Sequence, residues 1–188
     1  MISNPKYGWC EFNLGNFKGN PSYLTDVPME LLDTFVEFFC DGKYAGCVNF
    51  DEEGSEFYLV LTASGAYIIE ERDEPKLIIV DGTVRELAEE LMDDISADLK
   101  GWAREFSVDI GLTLNKNKDK EIINERINLF KAKIKLLQET FNSYDQDRKR
   151  EKEIEEREKK RRMERAREEE EEVHYNKNDY LIIEGKEE

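Results

Sequence analysis

One histidine, His174, and three cysteines, none of them in a C-x-x-C pair, leave the chain short of the side chains most enzymes use. No G-x-S-x-G, Walker loop, G-x-G-x-x-G or H-E-x-x-H string occurs, so the common nucleophilic, nucleotide-binding and zinc signatures are missing together. His174 follows an acidic run and has no candidate partner close in sequence. Cys10, Cys40 and Cys47 are odd in number and imply no disulfide framework; they read as buried free thiols. These absences point away from an enzyme, and neither a metal nor a cofactor is expected.

Long apolar runs are lacking too. The opening residues, MISNPKYGWCEF, show no basic segment followed by an apolar one, and no stretch approaches the ~20 apolar residues that cross a bilayer. A cytoplasmic protein without a membrane partner is the expectation.

Charge is what the chain has in excess. Charged residues are 38% of its 188 residues, against about 25% in an ordinary globular composition. The formal net charge is −16, and residues 1 to 106 hold 22 Asp and Glu against 8 Lys and Arg, a net of −14. A field of that sign repels nucleic acid and anionic lipid and steers basic partners.

The length fits one domain with an appendage. Tyr7 to Phe17 alternates as a strand, with Cys10, Phe12 and Leu14 on one face. Asp26 and Pro28 mark a helix start, and Leu31, Leu32, Phe35, Val36, Phe38 and Phe39 give that helix a broad apolar face that Gly42 closes. Four apolar runs follow, 46–50, 56–62, 66–72 and 76–80, with connections short enough for an antiparallel meander. Thr83 and Glu86 form a T-x-x-E capping box for a second amphipathic helix over about 83–105, and Ser107 to Leu114 reads as one more strand. The fold class expected is α+β: an antiparallel sheet of about four to six strands with two amphipathic helices, filling residues 1–115.

Proline and glycine are absent from Asp119 until Gly185, which predicts one long helix over 118–172. Its first part carries Ile123, Ile127, Phe130, Ile134, Leu137, Phe141 and Tyr144 in a 4-3 alternation, and something must cover that stripe. Ile122, Leu129 and Leu136 widen it. Packing on the chain's own domain and self-association through the helix both fit. Residues 145–172 hold opposite charges four apart, such as Glu153 with Arg157 and Glu158 with Arg162, and read as a solvated single helix. The basic run Arg157, Lys159, Lys160, Arg161, Arg162, Arg165 and Arg167 is interleaved with glutamates and lacks an aromatic platform, so it is not read as a nucleic-acid site. In the tail, 173–188, YLIIEG is short and strand-like.

The candidate site lies among the carboxylates. On the second helix Glu86, Glu89, Glu90, Asp93, Asp94 and Asp98 form like-charge pairs four residues apart, an arrangement that weakens an isolated helix. A face that docks on a basic surface would justify that cost, with Asp51, Glu52 and Glu53 beside it. Glu90 with Asp94 could also hold magnesium, but no further ligands are identifiable and no EF-hand spacing occurs.

The strings WCEFNLGNF, SYLTDVPMELL, FDEEGSEFYLVLT, YIIEER and ELAEELMDDISADLKGWA, within residues 7 to 106, resemble small bacterial immunity proteins of toxin systems. That resemblance implies an inhibitor of a toxin and carries over no catalytic motif and no residue role. The function expected is a protein-binding module, an acidic inhibitor of a basic toxin or nuclease. The alternatives are an adaptor that assembles through its coiled-coil helix and a metal-dependent hydrolase.

Overall fold

The computed structural model describes residues 1–71, 74–106 and 116–184, with side chains in the last stretch described for 117–169. It is an α+β fold with two antiparallel sheets. β1 (Ile2–Lys6), β2 (Trp9–Leu14) and β3 (Phe17–Gly19) make the first, in that order, and β4 (Ala45–Asp51), β5 (Glu56–Thr62), β6 (Gly65–Glu71) and β7 (Lys76–Val80) make the second as a meander. The helices are α1 (Val27–Phe39), α2 (Val84–Ala97), α3 (Leu99–Glu105) and α4 (Lys116–Glu184).

An aromatic cluster joins the two sheets. Cys10, Phe12 and Leu14 face inward from β2 as the alternation requires, and all three are buried. The Phe12 ring lies 6.1 Å from Phe17, 5.0 Å from Phe50 and 5.1 Å from Phe57, and Phe50 stacks on Phe57 at 4.6 Å. Tilted and edge contacts of this kind suit the ring quadrupoles and add to the area they bury.

Helix α1 covers β4 at close quarters. A Cβ on Gly46 would stand 2.5 Å from Thr34 Cγ2, so only glycine admits that approach. Gly42 ends the helical segment in the left-handed region, at φ +70°, which costs glycine little.

The compact unit runs from Met1 to Thr140 and so extends past residue 115, because it includes the first part of α4. Side-chain contacts tie that part to α1 and its caps. Arg126 Nη2 donates to Asp26 Oδ1 at 2.8 Å, Lys133 Nζ pairs with Asp33, and Cys40 Sγ lies 3.3 Å from Thr140 Oγ1. Both sides advance by seven residues at each step, so the helices run parallel and in register, as a heptad seam does. The contacts reach from the N-cap residue of α1 to its C-cap residue. Phe130, Ile134, Leu137 and Phe141 are buried, Ile123 and Ile127 half-buried and Tyr144 exposed. Own-domain packing therefore covers the stripe through Leu137, while Leu129 and Leu136 stay exposed.

The second unit, Phe141–Glu188, contains the rest of α4. Every side chain from 142 to 169 is exposed, as a solvated charged helix requires.

Four sequence expectations change. The helix expected over 83–105 breaks at Asp98, whose backbone (φ −143°, ψ 57°) leaves helical space while its carboxylate accepts from Gly101 N at 2.9 Å and starts α3. Strands β1 and β3 flank the expected strand as additional elements. The backbone of YLIIE lies within α4 and is helical, without a break from the preceding residues. Of the cysteines, all free, Cys10 is buried, Cys40 half-buried and Cys47 exposed. The strand expected at Ser107 to Leu114 lies outside the described residues. Among the described residues, no helix is long and apolar enough to cross a membrane.

Candidate protein-binding surface

The carboxylates singled out in the sequence are mostly engaged within the chain. Glu86 and Thr83 form a reciprocal capping box, with Thr83 N donating to Glu86 Oε2 at 2.7 Å. Those hydrogen bonds from Thr83, backbone first and hydroxyl second, lower the Glu86 pKa. Glu89 pairs with Arg85 at 2.8 Å. Glu90 and Asp94 together hold the buried ammonium of Met1, Asp94 Oδ2 at 2.8 Å, and Asp94 also accepts from Ile2 N at 2.9 Å. Asp98 caps α3. Asp93 is exposed and has no side-chain partner among the described residues.

These contacts offset the like-charge repulsion along α2. Glu90 and Asp94 meet a cation from the start of the chain, Glu89 a cation on α2 itself, and Glu86 the N-cap of the helix, while Asp93 stays in solvent. Asp51, Glu52 and Glu53 are likewise used in the β4–β5 turn: Asp51 Oδ1 accepts from Glu53 N at 2.6 Å, and Glu52 accepts from Asn20 N at 2.7 Å and from Ser55 Oγ at 2.9 Å. Six of the nine acidic residues thus lie on α2 or at its end, and three at the β4–β5 turn.

Asp94 can be tested separately from any partner. Asp94→Ala removes the acceptor for the first backbone N–H of β1 and is expected to cost about 1–3 kcal/mol. Faster hydrogen exchange confined to β1 amides should accompany the loss. Unchanged exchange there would show that Asp94 does not anchor the strand.

No group of three or more His, Cys, Asp or Glu among the described residues is placed to hold a metal ion. A surface depression of about 490 Å3 is lined by Asn4, Pro5, Lys6, Glu11 and Asp98. It gathers charges of both signs.

A surface that sequence reasoning missed is the outer face of the four-stranded sheet. The inward residues Val48, Phe50, Phe57, Leu59, Leu61, Ala66 and Ile68 are buried, so alternation turns their neighbours outward. Register places Cys47, Val60, Tyr67 and Ile79 in one cross-strand row and Asn49, Tyr58, Ile69 and Leu77 in the next. Leu77 is 65% exposed and Ile79 73%. A third row, Asp51, Glu56 and Glu71, closes one end with carboxylates.

Tyr58 couples the apolar rows to the acidic one. Its hydroxyl donates to Glu56 Oε2 at 2.8 Å, and Asn49 Nδ2 donates to the same oxygen at 3.2 Å. That hydrogen bond is the chief reason the Tyr58 phenol is pushed up to about 12. Partial burial pushes the Cys47 thiol up as well. The face can offer apolar contact, two tyrosines and a row of negative charge.

No family model, curated protein or solved structure matches the chain.

Proposed function

We propose that the protein is a non-enzymatic, cytoplasmic binding module, an acidic inhibitor or neutraliser of the immunity or anti-defence kind, directed at a basic toxin or nuclease. The observation that carries this reading is the outer face of the β4–β7 sheet. Exposed apolar patches bordered by polar residues mark interaction sites, and tyrosines are enriched among the residues that dominate binding energy. The acidic row and the net −14 of residues 1 to 106 select a basic partner. In this reading the α2 carboxylates shape the field that steers association, while the sheet face makes the contact.

The double variant Leu77→Lys/Ile79→Lys tests it, because both side chains are exposed and the fold should tolerate the change. Wild-type protein isolated from its native cells at low salt should retain a stoichiometric basic protein that leaves as salt rises and whose activity the wild type inhibits. The double variant should retain none of it. Identical recovery by the two forms, or no stoichiometric partner for either, would overturn the assignment.

A further inference from the structure

The meander has two edge strands, and the chain treats them differently. The edge of β4 is occupied by residues 22–25: Ser22 N donates to Asp51 O at 2.8 Å, Thr25 Oγ1 donates to Asn49 O at 3.1 Å, and Asp51 N donates to Thr25 Oγ1 at 3.1 Å. Among the described residues, β7 pairs with β6 alone.

Natural proteins blunt an open edge with proline, inward charge, a bulge or a covering segment. Lys76 opens β7 directly after Pro75, but across Leu77–Val80, among the described residues, no proline, charge, bulge or covering segment interrupts the edge, and the pairing with β6 is regular over all five residues. Leu77, Ile78, Ile79 and Val80 are residues that suit a strand. Such an edge is a template for one more strand.

We propose that β7 is a strand-accepting edge, on which the partner lays an extended basic segment as a fifth strand of the sheet. The inference rests on the binding reading above and names how the partner engages. Backbone hydrogen bonds along β7 supply affinity, and alternate side chains of the incoming strand extend the row of Leu77 and Ile79. Exposed Glu74 and Asp81 stand at either end of β7, and Glu71 ends the neighbouring strand. Lysines or arginines in the incoming strand meet that charge. A second copy of this chain would instead bring a further −16 to the edge.

The probe is a short synthetic peptide alternating valine and lysine, measured by fluorescence anisotropy on the full chain at low salt. Binding should weaken with salt and in Leu77→Lys/Ile79→Lys. Methylation of one alternating set of peptide nitrogens should weaken binding about tenfold, the loss of two backbone hydrogen bonds, while methylation of the other set should be tolerated. Equal binding of both methylated peptides would overturn strand addition and leave the face as a side-chain docking surface. Absence of binding by any of the peptides would also overturn it, while partner recovery from cells reads the broader function independently. A wild-type dimer that dissociates in Leu77→Lys/Ile79→Lys would assign the edge to a second copy and overturn the proposal.

Discussion

Ile134→Asp is expected to destabilise the first unit by about 4 kcal/mol, because it places an unpaired carboxylate on a residue only 7% exposed at the α1–α4 seam. For a chain of this size that is a fall in Tm of roughly 8–16 °C. Ile127→Asp, at a half-buried position, should cost less. Leu129→Asp, on the exposed side of the same helix, should cost almost nothing. Circular dichroism melts together with light-scattering mass separate the two explanations of the stripe. If Ile134→Asp halves the mass and spares the Tm, the stripe joins two chains. If it lowers the Tm at constant monomer mass, α1 is the partner.

The second large effect is expected at Phe57. Its ring sits 5.1 Å from Phe12, 4.8 Å from Phe17 and 4.6 Å from Phe50, so it touches residues of both sheets. Truncation to alanine removes buried ring area, leaves a cavity and cancels three aromatic pairs, at a cost of about 3–5 kcal/mol. Urea unfolding measures this directly. A cost below about 1 kcal/mol would mean that the sheets are held together elsewhere. Two separated transitions in the wild type would mean that they are not one cooperative core.

The parts of the fold that could be read from sequence are those governed by local rules. Alternation in β5, helical spacing in α2 and the Thr83–Glu86 box each depend on residues a few positions apart, and each recurs in the structure. Strand β1 escaped because its sequence, ISNPK, has no alternation and contains proline. Its pairing with β2 also shifts register between Ser3 and Lys6, and Asn4 sits at φ +54°. The break at Asp98 escaped because the apolar spacing continues across it to Trp102 and Phe106.

The candidate site was less legible, for a physical reason. Like charges along α2 are visible in sequence, but the ammonium and N–H groups that offset them arrive from a strand about ninety residues away. The run Leu77 to Val80 is apolar throughout, which reads as a strand buried on both faces. Strand order places β7 at an edge among the described residues, and the exposed Leu77 and Ile79 leave one of its faces open. Its position as the last strand of a meander was the available clue.

The parallel seam also sets an order in time. Asp26, Asp33 and Cys40 meet partners one hundred residues further along the chain. Pairings so distant in sequence close slowly, after the local hairpins have formed. During synthesis, the outward side of α1 therefore waits in solvent until the segment ending at Thr140 has been made. The aspartates on that side, Asp26 and Asp33, suit the wait: they keep a half-made chain soluble before α4 docks.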